Sequence, residues 1–234
     1  DVAPSRGLGD VYKRQVLDSR VVPIICANLG GWGERNVSAQ LSGLLDGMKV
    51  LVGNDANVAA LGEIWMGTAK GCRSAVMVTL GTGVGGGVIV NGKVIDGTHG
   101  AGGEIGHISL DPQGPPCACG KRGCLKRLVS ATSLHARLQR SDERMRASIL
   151  REAGTYLGTA LSMPVGLLDL ADVCVYGQSD IVNDTLLSAA QAQLDLLTGS
   201  SFHTRTIIRR CECKGEITLR GEALSVLHDY LENR

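Results

Sequence analysis

Leu80-Gly81-Thr82-Gly83-Val84-Gly85-Gly86-Gly87 stands between two apolar, β-branched runs, residues 75–80 and 88–90. Its five glycines permit a tight turn and let backbone N–H groups converge on an anion, with the Thr82 hydroxyl beside them. The spacing is not that of a P-loop, because no Gly-Lys-Ser/Thr follows, nor that of a dinucleotide fingerprint, because a strand follows where a helix would be needed. A two-residue turn has no use for five glycines, so phosphate binding is the expectation and close backbone packing in a hairpin is the competing reading.

Working outward, Asn91-Gly92 is a hairpin signal leading into a strand at 93–95. Upstream, 21–27 and 50–52 read as strands and 37–45 as a helix. Asn54-Asp55 opens a further helix in which Val58, Leu61, Ile64 and Trp65 recur at helical spacing, ending at Gly67. Downstream, helices are expected over 130–140, 143–163 (stopped by Pro164) and 181–197, with a strand at 171–176. Residues 205–210, rich in arginine, read as a solvated face. Strands alternating with helices indicate an α/β architecture.

The chain has 234 residues, enough for one large domain or two small ones. Its 44% apolar and 20% charged residues are ordinary for a soluble globular protein. With 3% aromatics it lacks the material for a base-stacking platform, and a net charge of +1 argues against a polyanion-coating surface, so nucleic acid is not an expected partner. The 32 glycines are about twice the usual share of about 7%. No apolar stretch reaches the roughly 18 residues that cross a bilayer, and no secretory start is evident. Eight cysteines are present, but three crowd into residues 117–124, a pattern of metal binding in a reduced, cytoplasmic protein. Residues 1–15 show no periodicity and read as a junction outside the fold; 16–72 and 73–234 are the expected domains.

Four constellations carry chemistry. Asp55 at a helix start lies near the positive end of the macrodipole, which suits a base; taken alone, plain capping is the stronger reading of an Asn-Asp pair there. The turn at Gly81-Thr82-Gly83 is the first candidate for phosphate. His107 with Cys117, Cys119 and Cys124 makes a closed tetrahedral zinc set on a Gly/Pro loop, with Lys121 and Arg122 to offset thiolate charge. Glu104, three residues before His107 and preceded by Gly100, Gly102 and Gly103, would stand beside that rigid centre, where a carboxylate and an imidazole can address sugar hydroxyls. Cys211-x-Cys213 lacks two further ligands and is read as no metal site. His135 and His228 are read as ordinary packing or surface residues.

In this order, Asn54-Asp55-Ala56-Asn57, the 80–87 run, Gly100 to His107 and Cys117-Ala118-Cys119-Gly120-Lys121-Arg122-Gly123-Cys124 resemble the ROK family of repressors, open reading frames and sugar kinases, above all its bacterial glucokinases. The likeness runs from about 21 to about 198. It implies an actin-like, ribonuclease-H-type ATPase fold with two α/β domains around a cleft, the first incomplete here. It implies ATP- and Mg²⁺-dependent phosphorylation of a hexose, glucose above all, at its 6-hydroxyl, and a homodimer. Asp55 matches the general base; Asn54, Asp55, Glu104 and His107 match sugar-binding positions; Gly81, Thr82 and Gly83 match the loop that holds ATP phosphates. His107, Cys117, Cys119 and Cys124 match zinc ligands.

The resemblance also shows departures. The family's first phosphate loop, a strand followed by Asp-x-Gly-Gly-Thr, is not found, so this chain is expected to turn over slowly or not at all. Lys126 stands where the family carries a sugar-contacting Glu, and Gly177-Gln178-Ser179 stands where it carries Gly-Gly. Residues 217–224 echo the family's last helix. The alternatives are the sugar-sensing domain of a ROK repressor, which would carry an upstream helix-turn-helix, and a non-catalytic fragment.

Overall fold

The structure, a computed structural model, describes residues 14–17, 20–23, 36–98, 100–200, 204–211 and 216–232. Most of the expected junction at 1–15, residues 24–27 of the strand expected over 21–27, and Cys213 lie outside the described residues.

The elements in chain order are β1 (Arg14–Leu17), β2 (Arg20–Pro23), α1 (Val37–Leu44), α2 (Asp55–Met66), β3 (Ala75–Leu80), β4 (Val84–Val90) and β5 (Lys93–Val94). They continue with α3 (Leu125–Val129), α4 (Ala131–Leu138), α5 (Glu143–Leu168), β6 (Asp172–Gly177), α6 (Asp184–Thr198), β7 (Ile207–Arg210) and α7 (Ile217–Glu232). A short 3-10 turn at Ile105–His107 precedes α3. β1 and β2 pair antiparallel with each other. The main sheet has the order β5-β4-β3-β6-β7; β3 pairs antiparallel with β4 and parallel with β6, which pairs parallel with β7.

The alternation of a strand divides the core in two. Val76, Val78 and Leu80 of β3, with Val173 and Val175 of β6, face α4, α5 and α6, where Leu134, Leu157, Leu161, Leu186 and Leu194 are fully buried. Ala75, Met77 and Cys174 face the other way, toward Ala59, Ala60 and Ile64 of α2 and Ile217 of α7. The result is helix, sheet, helix in three layers.

Several expectations change. No ladder forms at 50–52; the Val50 carbonyl instead accepts the Ser38 hydroxyl. β4 begins at Val84, so Gly85, Gly86 and Gly87 belong to a strand and not to a turn. α5 does not stop at 163 but runs through Pro164 to Leu168, where Asp169 closes it in the left-handed region at φ 48°. The proline removes one N–H from the ladder, and burial of Val165 one residue beyond offsets that loss. Residues 207–210 form the edge strand β7, paired with the free edge of β6, while Arg205, Arg209 and Arg210 stay exposed as read; Arg209 Nε donates to the largely buried Asp172 Oδ1 at 2.5 Å. His135 remains a surface residue, as read, and pairs there with Asp180 at 2.8 Å.

The glycines of β4 are explained by closeness of approach. A Cβ at Gly87 would collide with the Ala56 carbonyl and lie 2.6 Å from the Ala60 Cβ, whereas one at Gly86 would lie 2.5 Å from the Gly103 carbonyl oxygen on the opposite face. Gly87→Ala is expected to destabilise by about 1–3 kcal/mol, with Tm falling roughly 2–4 °C per kcal/mol. Gly43→Ala, in α1 with nothing within 4 Å of the added carbon, leaves Tm unchanged or slightly raised. Thermal denaturation of the two variants checks the pair.

Cys72 Sγ donates to Asp172 Oδ2 at 2.9 Å. Burial first, then that hydrogen bond and the carboxylate charge, push the Cys72 thiol up to about 11. At pH 8 its alkylation, followed by peptide mass, should therefore be slow, and Asp172→Asn should speed it.

Candidate functional site

Asn54 has extended backbone and caps α2, its Oδ1 accepting from the amides of Ala56 (3.0 Å) and Asn57 (3.2 Å). Asp55 follows at the first helical position, half-buried, with its Oδ1 accepting from Ala56 N at 2.9 Å. The carboxylate is thereby fixed in direction at the positive end of a twelve-residue helix.

Asn57, quoted in the Asn54–Asn57 motif but given no role there, links this helix to the glycine-rich segment. Its Nδ2 donates to Asp96 Oδ1 at 2.8 Å. The Asp96 carbonyl in turn accepts from Gly102 N at 2.7 Å. A Cβ on Gly103 would lie 3.6 Å from Asn57 Oδ1. The segment from Ile95, whose N bonds to Val88 O at 2.8 Å, thus passes around the edge of β4 and delivers Glu104 and His107 to its far side. There the turn packs on β4, with Gly106 against the Val84 carbonyl and Ile105 in the core. The start of α2 and the Glu104–His107 segment are held apart by one strand of glycine backbone.

Glu104 Oε2 lies 4.0 Å from His107 Nε2. Burial raises the Glu104 carboxyl above the usual carboxylate range, and the charge of Lys126 pulls it back down. Lys126, half-buried in the first turn of α3, therefore acts electrostatically on this corner.

The other ring nitrogen of His107 faces the cysteines. Nδ1 is 3.7 Å from Cys117 Sγ, and Cys119 Sγ is 3.5 Å from Cys124 Sγ. The donor atoms of all four residues lie within 4.8 Å of one another. A tetrahedron with bonds of about 2.3 Å to sulfur and about 2.0 Å to nitrogen has edges of about 3.5–3.8 Å, so the set fits a four-coordinate zinc. The loop is pinned by Cys117 N to Lys121 O at 2.8 Å, and by Gly123, whose φ of +56° and contact with the Asp111 carbonyl admit no side chain. Burial, then the neighbouring thiols, push Cys124 up to about 12. Burial acts the same way on Cys119, but hydrogen bonds from the Lys121 backbone and the other thiols, with the Lys121 charge, bring it below the usual thiol range. Among the described residues no second cluster of three such ligands occurs, so no protein site is assigned to Mg²⁺.

At the carboxyl ends of the parallel pair β3 and β6, Leu80 is registered with Gly177. The Gly81–Gly83 turn projects there with Gly81 and Thr82 exposed and Gly83 buried. Ala131 N donates to Gly81 O at 2.9 Å, which sets the turn beside the start of α4. Ligands of open α/β sheets bind at such strand ends. Of the five glycines expected to cradle an anion, Gly81 and Gly83 are at this turn; the other three serve the packing of β4.

A cleft of about 260 Å³ opens between the start of α2, the 96–100 segment and α7. Asn54 lines it, together with Asn57, Asp96, Glu222 and Ser225; Asp55, Glu104 and His107 do not. Glu222 and Ser225 come from α7, seated on α2 where Gly221 meets the Val58 carbonyl. Only a helical echo marked that region in the sequence.

The sequence profile of the ROK family matches residues 22–161, more than half of the chain. A glucokinase of Halalkalibacterium halodurans is 52% identical over 88 residues, which cover 37% of this chain and 27% of that enzyme. The chain thus spans well under half of that curated relative. The ROK hexokinase of Thermus thermophilus is 30% identical, with a TM-score of 0.73 over 89% of this chain and 74% of that one. A ROK glucokinase of Streptomyces griseus, solved with glucose and AMPPNP, is 24% identical, with a TM-score of 0.76 over 91% of this chain and 78% of that one. The fold is the actin-like ATPase fold of these sugar kinases. On the family profile and the likeness to the Thermus hexokinase together, the chain belongs to the ROK family.

Proposed function

We propose that this chain is the sugar- and nucleotide-binding part of an ATP-dependent hexokinase that phosphorylates a hexose, glucose first, at its 6-hydroxyl. The observation that carries the reading is Asp55, capped and oriented at the start of α2, one glycine strand away from Glu104 and His107. Asp55 accepts the proton of the 6-hydroxyl as its oxygen bonds to the γ-phosphorus and the bond to ADP breaks. Asn54, Glu104 and His107 orient the sugar, and the Gly81–Gly83 amides with Thr82 hold the phosphates. Mg²⁺, arriving with ATP, would neutralise phosphate charge. Most of the acceleration then comes from positioning and charge, as phosphoryl transfer requires. A soluble, cytoplasmic homodimer agrees with this reading; among the described residues no helix is long and apolar enough to cross a membrane.

Sugar-dependent ADP release tests it. Asp55→Asn should lower kcat by about 10²- to 10⁴-fold while sugar binding, read by calorimetry, persists. Equal rates above background in both proteins would remove Asp55 from the role. Binding of sugar without nucleotide would favour a sugar-sensing domain instead.

The Cys/His set is proposed to hold structural zinc, since four protein ligands leave no position open for a reactant. The ion would fix the 107–124 loop and so the direction in which His107 Nε2 faces Glu104. Metal analysis should return about one zinc per chain, and Cys119→Ser should lose it together with measurable sugar affinity. If metal content and affinity survive that substitution, the coupling is wrong.

A further inference from the structure

The Gly81–Gly83 turn rests on a contact to which the proposed transfer gives no role. Ala131 N donates to Gly81 O at 2.9 Å. Ala131 is the first residue of α4, and the N–H groups of a helix's first turn have no partner inside the helix. Two of them are used here: Ser130 Oγ accepts from Ser133 N at 3.2 Å, and the turn takes the N–H of Ala131. Ser130 is held from several sides. It is 3% exposed, its N donates to Lys126 O at 3.3 Å, and its Oγ donates to Ser133 Oγ at 3.0 Å. Ala131 is buried as well, so the donor that meets the turn has a fixed position.

The peptide link between Gly81 and Thr82 is trans and planar, so its C=O and its N–H leave opposite edges of one plane. With the carbonyl turned toward α4, the Thr82 N–H points away from α4, at the exposed tip of the turn. Among the described residues that N–H has no hydrogen-bond partner, whereas the N–H of Gly81 closes onto Gly83 O at 3.0 Å. The turn therefore presents an unpaired main-chain donor whose direction is set by Ala131. Nothing lies within 4 Å of a Cβ at Gly81, so no neighbouring atom wedges this link, and a glycine on its N-terminal side lets the plane rotate at low cost. Rotated by half a turn, the link would show an anion a carbonyl oxygen in place of an N–H. The bond to Ala131 opposes that rotation.

We propose that Ala131, held by Ser130, is a positioning residue for nucleotide: its main-chain N–H fixes the Gly81–Thr82 link in the orientation that offers the Thr82 N–H to a phosphate oxygen. This role rests on the reading of the turn as a phosphate loop and names the element that sets its geometry. An N–H aimed at an anionic oxygen makes a charge-assisted hydrogen bond, and a carbonyl aimed at the same oxygen repels it. The two orientations therefore differ in their grip on phosphate and not in their grip on sugar.

Ala131→Pro deletes this one donor. Proline suits the first position of a helix, and the Ser130 backbone, at φ −62° and ψ 150°, already has the conformation that a following proline requires, so α4 keeps its start. The ring carbon takes the place of the hydrogen and displaces the Gly81 carbonyl. Calorimetry of the full chain, with AMPPNP and Mg²⁺ and separately with glucose, should show nucleotide affinity lowered about tenfold in Ala131→Pro, the scale of one charge-assisted hydrogen bond, and glucose affinity within about twofold of the wild type. Ala131→Gly, which restores the N–H, should recover most of the loss. Should Ala131→Pro fail to melt cooperatively, amide hydrogen exchange of the wild type decides: the Ala131 amide should be protected before nucleotide is added, and the Thr82 amide should become protected only with it. Unchanged AMPPNP affinity in Ala131→Pro, an equal loss of glucose affinity, a loss that Ala131→Gly shares, or a Thr82 amide that exchanges freely under saturating AMPPNP overturns the proposal. Failure of the wild type to bind AMPPNP overturns the phosphate reading itself, and the positioning role with it.

Discussion

The thickness of β4 at Gly85–Gly87 is the constraint on which the site depends. On one face the strand meets Ala56 and Ala60 of α2; on the other it meets Gly103 and Ile105. A Cβ at Gly86 or Gly87 would have to displace main chain, and one at Gly85 would meet the Thr79 hydroxyl and the Ala56 methyl; well-packed backbone does not yield cheaply. Because nothing but glycine lies between them, the helix that carries Asp55 and the segment that carries Glu104 approach to within one layer of polypeptide. The Asn57–Asp96 hydrogen bond fixes how the connecting segment turns around the strand edge.

Much of this was legible in the sequence. Asn54 and Asp55 could be placed at a helix start because capping is a local rule that needs only a short-range pattern. The cysteine loop could be read because three thiols and an imidazole at that spacing have few other uses. What escaped was non-local. Glycines are poor strand formers, so β4 could be recognised only from the two elements that crowd it. β7 could not be told from a polar surface, because its partner Asp172 lies far away in the chain. Pro164 marked a stop that burial on its far side overrode. The contribution of α7 to the cleft was invisible for the same reason: Glu222 has meaning only once Gly221 has seated that helix on α2.

The electrostatics differ between two surfaces of the molecule. The corner at Glu104 and His107 has Lys126 acting on it and Lys121 beside the thiols. The α2–α7 cleft has carboxyls and amides and, among the described residues, no cation lining it. Neither pattern follows from net charge, which is near zero; both follow from which residues the fold brings to a common wall.

Cys124 is at once a donor in the Cys/His set and the residue from which α3 springs, with no side-chain cap of its own. α3 ends at Ser130, the same residue that caps α4, and the next amide, that of Ala131, is bonded to the Gly81 carbonyl. A strut of consecutive residues, 124 to 131, therefore joins the sulfur-rich loop to the Gly81–Gly83 turn. The spacing between those two ends is a covalent dimension of the chain, and anything that shifts one end mechanically loads the other.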